Sequence, residues 1–323
     1  MHMSDHLISG ETSASMWLFS IFSFSNAATK ITKIKAKINL PFTAALAGFV
    51  FAMQMLNFTI PGTGSSGHFC GGMLLAILLG THVSFIVMSL ILAIQCFLFS
   101  DGGIMALGCN VFNLAFIPSF IVYPFFSSII NSDTNEVKKF FLTLISSIIA
   151  IQLGAFSVVL ETFFSFITPL SFSKFLSLML PIHFAIGIAE GFITAILIYI
   201  LLPAENLTLQ TSNPIKGRKK YINLILFLII AGILSAGILS SFSSENPDGL
   251  EWALAKTSFK ESPLYTSDIK TFFSEIQQYT SLFPDYQLES MGFSMLIPGI
   301  MGYFAIFATT IIFLTILKKS ELK

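Results

Sequence analysis

Gln54 to Gly80 reads QMLNFTIPGTGSSGHFCGGMLLAILLG. One hydrophobic segment ends, a Gly/Ser/Pro run follows, and a second hydrophobic segment begins. Gly62, Gly64, Gly67, Gly71 and Gly72 surround a single imidazole, His68. Glycines at this density let a backbone turn tightly and approach another segment or a ligand closely. The run is expected to form a re-entrant loop between two membrane helices. Irregular backbone at that depth is tolerated only where protein buries it or a cavity borders it. The reading that organises the rest is that His68 ligates a metal and that Met1 and His2 supply the other donors.

Composition supports the membrane setting. Of 323 residues, 54% are hydrophobic and 11% are charged, with a mean hydropathy of +0.82, whereas a soluble domain carries roughly 25% charged residues. The expected class is an all-α polytopic membrane protein. Formal net charge is zero, and the lone arginine, Arg218, gives no basic face for nucleic acid. Cys70, Cys96 and Cys109 lie in or beside apolar segments and read as small buried hydrophobes. The start, MHMSDHLISGETSAS, lacks a basic stretch running directly into an apolar core. No cleavable signal is expected, so Met1 and His2 would be retained.

About 20 apolar residues suffice to cross a bilayer. Nine candidate spans follow: 13–29, 39–58, 70–80, 82–100, 105–130, 138–165, 177–203, 221–241 and 293–317. The first is the weakest, because it holds Ser20, Ser23, Ser25 and Asn26; the third is short. With the N-terminus outside, thirteen of seventeen basic residues fall on the inner side, as the positive-inside rule requires. This places the C-terminus in the cytoplasm and puts Met1, His2 and His68 on one side. The polar linker 204–220 divides a seven-span part, 1–203, from a two-span part, 221–323. Within the outer segment 242–292, Ile269, Phe272, Phe273, Ile276 and Tyr279 recur at helical spacing and predict an amphipathic helix.

A free N-terminal amine, the amide nitrogen of residue 2 and the imidazole of His2 can close fused chelate rings on one ion. A fourth nitrogen from His68 would complete a plane, a geometry that suits Ni(II) or Cu(II). Polar residues inside spans tend to face a bundle interior or a cavity. Gln54 and Asn57, three apart, are expected on one helix face, as are Asn110 and Asn113. Each could hold loop or ring orientation beside the metal, or simply bond helix to helix. His183 and Glu190 share a face two turns apart, and the Ser100–Gly103 turn is expected to shape the rim. Gly64-Ser65-Ser66-Gly67 also fits the G-x-S-G pattern of rhomboid intramembrane proteases, with Ser66 and His183 as the dyad. No nucleotide-binding G-x-x-x-x-G-K-[ST] loop is present, so the chain is not expected to hydrolyse ATP itself.

Together, Met1-His2, the run FAMQMLNFTIPGTGSSGHFCGGMLLAILLG, the run SDGGIMALGCNVFNLAFIP and the segment PIHFAIGIAEGFITA resemble the CbiM/NikM family. These are substrate-binding components of energy-coupling-factor transporters for cobalt and nickel. The resemblance covers residues 1 to about 203. Pro247 to Glu251, PDGLE, with the PDY run from Pro284 to Tyr286 and a following span, resembles the small CbiN/NikN-like component, fused here. The resemblance implies a seven-helix substrate-capture bundle plus two C-terminal transmembrane helices joined by an outside loop. It implies metal held through nitrogen by Met1, His2 and His68, with Gln54, Asn57, Ser66, Asn110 and Asn113 as supports. It implies Ni2+ or Co2+ as the transported substrate, no organic cofactor and no enzymatic activity. The implied partners are a transmembrane coupling (T) subunit and cytoplasmic ATPase subunits in the cell membrane. A different class, an ATP-independent channel or carrier for metal ions, would need none of those subunits. The chain departs from the family's usual start: MSDHLISG follows where a Pro-Asp-Gly segment is typical, although Asp5 remains.

Overall fold

A computed structural model describes residues 1–33, 38–130, 134–167, 170–201, 218–257, 268–286 and 295–319. The linker 204–220 therefore lies outside the described residues up to residue 217. The elements in chain order are α1 (Gly10–Lys33), α2 (Leu40–Gln54), β1 (Asn57–Ile60), β2 (Ser65–His68), α3 (Gly72–Leu79) and α4 (Thr81–Phe99). They are followed by α5 (Leu107–Ile129), α6 (Glu136–Phe164), α7 (Phe172–Leu201), α8 (Arg218–Gly237), α9 (Gly249–Lys256), α10 (Asp268–Thr280) and α11 (Leu296–Lys319).

Each of the nine expected spans coincides with a helix. Among the described residues, α4, α5, α6, α7 and α11 are long and apolar enough to cross a membrane, while α2 and residues 221–237 are shorter apolar helices. The polar character of α1 has a packing cause. Ser13, Ser20 and Ser23 are buried, and Ser13 and Ser20 donate to the carbonyls of Met105 and Gly108, each at 2.9 Å, while Ser25 and Asn26 are exposed. Leu18, Ile21 and Phe22 are exposed on its other side. Gly108 lets the backbones of α1 and α5 meet, since a Cβ there would lie 2.6 Å from the Met16 carbonyl carbon. Small residues and interhelical hydrogen bonds are how helices associate where lipid removes the hydrophobic drive. Gly187 and Gly191 on α7 do the same against Ile148 and Leu144 of α6.

α2 is buried along almost its whole length and forms the central post. α8 and α11 pack against it, with Tyr303 resting on Gly48 and Gly232. The C-terminal pair thus shares the core of the larger part. Lys318 Nζ donates to the Ile38 carbonyl, and Lys30 interacts with His82, so these lysines gather at one end of the bundle.

Two expectations are corrected at the other end. The third span is α3, only eight residues, about 12 Å of helix against a hydrocarbon core of about 30 Å. It is a buried half-helix. The glycine-rich run is a β-hairpin, with Asn57 opposite His68 and Ile60 opposite Ser65. Gly62 and Gly64 in its turn have φ of 77° and 73°, which side chains rarely adopt. Gln54 and Asn57 therefore do not share a helix face: Gln54 ends α2 and Asn57 begins β1. The amphipathic helix in the outer segment is α10. Its stripe divides, with Phe273 and Ile276 packed inward and Ile269, Phe272 and Tyr279 exposed.

Candidate metal centre

The N-terminus folds back into the bundle. Met1, Met3, Leu7 and Ile8 are buried, and Met1 packs its thioether at Gly154 of α6. Asn110 grips the next peptide from both sides: its Oδ1 accepts from Met3 N–H at 2.8 Å, and its Nδ2 donates to the Met3 carbonyl at 3.1 Å. Gly103 N–H donates to that carbonyl as well, at 2.9 Å. Asp5 accepts from Ala106 N–H at 3.0 Å, and a Cβ on Gly103 would fall 1.8 Å from the Asp5 carboxylate. Gly103→Ala is thus expected to dislodge the N-terminal segment. Asn110→Ala removes two buried bonds, about 2–3 kcal/mol. Metal affinity is expected to fall roughly 10- to 100-fold with it, read by thermal unfolding and titration calorimetry.

This seat brings His2 and His68 together. The His2 and His68 rings are nearly parallel, with centroids 5.4 Å apart and an interplanar angle of 9°. Two rings sharing one ion through nitrogen at ~2 Å have centroids no more than about 6 Å apart, so the spacing admits a shared ion. The Met1 amine lies in the same place, 3.1 Å from the Asp248 carboxylate. Burial, the largest influence, lowers the amine's pKa, but Asp248 together with Cys70 and Asp101 holds the amine above its ordinary value. Asp248 is lowered in turn: burial opposes this, and the amine overcomes it. Burial, then the charge of the amine and of His2, pushes His68 down to about 4, so at neutral pH its ring is an uncharged donor. His68 Nδ1 lies 3.2 Å from the Phe69 carbonyl, which fixes the ring and leaves Nε2 for a ligand.

His2 Nδ1, the nitrogen a fused chelate would use, faces Asp101 Oδ1 at 3.2 Å. Gln95 interacts with the ring, yet His2 Nε2 and Gln95 Oε1 are each buried without a hydrogen-bond partner among the described residues. Closing the chelate requires Asp248 and Asp101 to give up the amine and the ring. Among the described residues no three His, Cys, Asp or Glu side chains are grouped to hold a metal. An ion held by His2 and His68 would need the amine and backbone nitrogen to complete its ligand set.

The expected supports divide by role. Gln54 Nε2 donates to the Cys70 carbonyl at 2.8 Å and its Oε1 accepts from Gln95 at 2.9 Å, which ties α2 and α4 to the chain just past His68. Asn57 acts through its backbone, as the strand partner of His68 and as acceptor from Ser244 N–H. Asn110 holds Met3. Asn113 donates to Glu161 at 2.8 Å and approaches the Met3 sulfur. Ser66 Oγ donates to the Asn246 carbonyl at 2.8 Å. Among the described residues no hydrogen bond joins Ser66 to His183, whose Nδ1 sits on the Met179 carbonyl. The protease dyad is therefore not formed. Ser66→Ala is expected to cost about 1 kcal/mol of stability and to leave metal affinity within a few fold.

Several participants have partners that local sequence pattern does not assign. Glu190 accepts from Cys70 N–H at 2.8 Å and Gly71 N–H at 3.2 Å, so α7 holds the exit of β2. Asp248 reaches Met1 across the chain while its other oxygen caps α9 in a reciprocal box with Glu251. Residues 247–248 run beside β2, with Ser66 N–H donating to the Pro247 carbonyl. Tyr286 donates to Asp101 at 2.7 Å, and Gln277 donates to the Gly102 carbonyl at 2.7 Å. The C-terminal region thus touches both carboxylates that engage the N-terminal donors. A cavity of about 630 Å³ lies over them, lined by His2, His68, Asp101, Asp248, Glu251 and Tyr286 among others.

The sequence model of the family described as "Cobalt uptake substrate-specific transmembrane region" matches residues 2–207, and that of the PDGLE domain matches 222–319. A relative from Archaeoglobus fulgidus, named putative fused nickel transport protein NikMN, is 31% identical over 88% of this chain and 89% of its own. A relative from Lactiplantibacillus plantarum, named probable fused nickel transport protein LarMN, is 33% identical over 38% of each chain. The crystal structure of a truncated transition metal transporter superposes with a TM-score of 0.55 at 31% identity, covering 62% of this chain and 98% of that one. The chain belongs to the cobalt-uptake substrate-specific transmembrane (CbiM) family and carries a PDGLE domain behind it.

Proposed function

We propose that this multi-pass membrane protein is the substrate-capturing component of an energy-coupling-factor transporter that imports cobalt or nickel ions. The observation that carries the reading is the stacking of the His2 and His68 rings at one cavity, with the Met1 amine on Asp248, which lines the same cavity. Relatives named as cobalt and nickel transport proteins support the cargo. A hydrated ion enters the acidic cavity and sheds water. The amine, the His2 amide nitrogen, His2 Nδ1 and His68 then hold it. Glu190, Gln54 and Asn110 fix the two segments that bear these donors. The end bearing Met1 faces outward and the lysine-rich end faces the cytoplasm, as the distribution of basic residues favours. Residues 1–203 form the capture domain, 204–220 a cytoplasmic linker, and 221–323 a two-helix region that closes the cavity from outside.

With no nucleotide-binding loop of its own, the chain takes its energy from a transmembrane coupling subunit and cytoplasmic ATPases. Reconstitution in vesicles tests this. Uptake of radiolabelled Ni2+ or Co2+ is expected only with those subunits and ATP; equal uptake by the chain alone would favour a passive channel.

Chelation by amine and amide displaces protons. Because Asp248 raises the amine's pKa, a proton occupies that donor through neutral pH, and metal must compete with it. The apparent affinity for Ni2+ is expected to rise by about tenfold or more per unit between about pH 6 and pH 8. A flat calorimetric profile over that range would count against the amine as ligand.

A further inference from the structure

The C-terminal domain reaches the His2 ring through one carboxylate. Asp101 Oδ1 lies 3.2 Å from His2 Nδ1, and its other oxygen accepts from the Tyr286 hydroxyl at 2.7 Å. The Asp101 side chain is 25% exposed, so without the hydroxyl it could turn toward water in the cavity. With both oxygens engaged it is fixed against the ring. His2 Nδ1 is the nitrogen that the fused chelate would use, and a ring bonded to Asp101 is withheld from an ion.

Tyr286 makes this contact from a strained turn. Asp285 and Tyr286 have φ of 51° and 59°, in the left-handed region that residues other than glycine seldom occupy. Across the contact, Ser100, just before Asp101, has φ of 56°. Such backbone persists only where its surroundings over-determine it. Here they do. The Tyr286 ring stacks on Phe99 with centroids 4.6 Å apart. Phe283 N–H donates to the Leu98 carbonyl at 3.1 Å, and Gln277 donates to the Gly102 carbonyl at 2.7 Å. The turn is thus clamped to the end of α4, which delivers the hydroxyl to Asp101.

We propose that Tyr286 is a positioning residue that tunes metal affinity: through Asp101 it holds the His2 ring on the carboxylate and so competes with the ion for His2 Nδ1. The inference rests on the reading that His2 Nδ1 is a metal donor. An ion binds only the fraction of molecules in which the ring is free, and the apparent affinity is reduced by that fraction. The C-terminal domain thereby loosens the grip on an ion that must later be released.

Tyr286→Phe keeps a ring to stack on Phe99 and removes only the hydroxyl. In the full-length chain, titration calorimetry with Ni2+ is expected to show binding tighter by about three- to tenfold, while the unfolding temperature of the metal-free chain stays level or falls. A merely structural role would weaken binding or leave it unchanged, and either result would overturn the proposal. 3-Fluorotyrosine at position 286, a stronger hydrogen-bond donor of nearly the same size, is expected to weaken Ni2+ binding. It decides the matter should Tyr286→Phe fail to fold, and unchanged or tighter binding there would overturn the proposal as well. Acetylating the Met1 amine tests the parent reading separately: a chain that binds Ni2+ equally well acetylated and free would overturn the N-terminal site itself, whichever way the Tyr286 variants act.

Discussion

One residue added ahead of Met1 is expected to abolish metal binding while the helices remain folded. The fused chelate needs the amine one residue before His2. An extension turns that amine into an amide and moves the free amine a residue away. It also has nowhere to go, because Met1 is 3% exposed, with its amine on Asp248 and its thioether at Gly154. The loss is expected to be roughly a thousandfold or more, about 4 kcal/mol. Calorimetric titration with Ni2+ measures it, and circular dichroism tests whether helicity is kept. Acetylating the Met1 amine should act in the same direction with less steric burden. An extended chain that binds metal normally would remove the N-terminus from the site.

The second large effect is expected at His68. His68→Ala deletes a donor that burial keeps uncharged and that the hairpin holds against Asn57. Affinity should drop roughly a hundredfold or more, about 3 kcal/mol, and uptake should cease with it. His68 is 8% exposed, so the substitution also leaves a small void, and the unfolding temperature is expected to fall modestly while the chain stays folded. The contrast with Ser66→Ala separates a metal site from a serine-based one: the serine variant keeps its metal, and the histidine variant loses it.

The proposed metal donors stand out in the sequence because each lies in a conspicuous local pattern. Met1-His2 stands at the chain start, and His68 is the one imidazole in a glycine-rich stretch between apolar segments. The spans were legible for a similar reason, since twenty apolar residues have few other uses. What local pattern does not encode is pairing across the chain. Asp248 looks like a helix cap, which it is; its second oxygen meets the amine 247 residues away. Tyr286 and Asp101 sit in two separate turns and meet only because α10 lies across the end of α4. The hairpin escaped detection because its strands are short and one of them, Ser65-Ser66-Gly67-His68, has almost no β-forming side chains. It is held instead by residues 246–248, which run beside it, and by Glu190 just beyond it. The serines of α1 made a span look weak. In place Ser13 and Ser20 bond the carbonyls of Met105 and Gly108, whereas Ser25 and Asn26 stay exposed.

The central claim is that the nitrogen at the very start of the chain binds the ion. Cu2+ is a suitable probe, because planar nitrogen sites take it readily. The chain is labelled with ¹⁵N only in methionine, loaded with Cu2+ and examined by electron–nuclear double resonance. One strongly coupled ¹⁵N is predicted, from the Met1 amine. A spectrum in which every strongly coupled nitrogen is ¹⁴N would contradict the account.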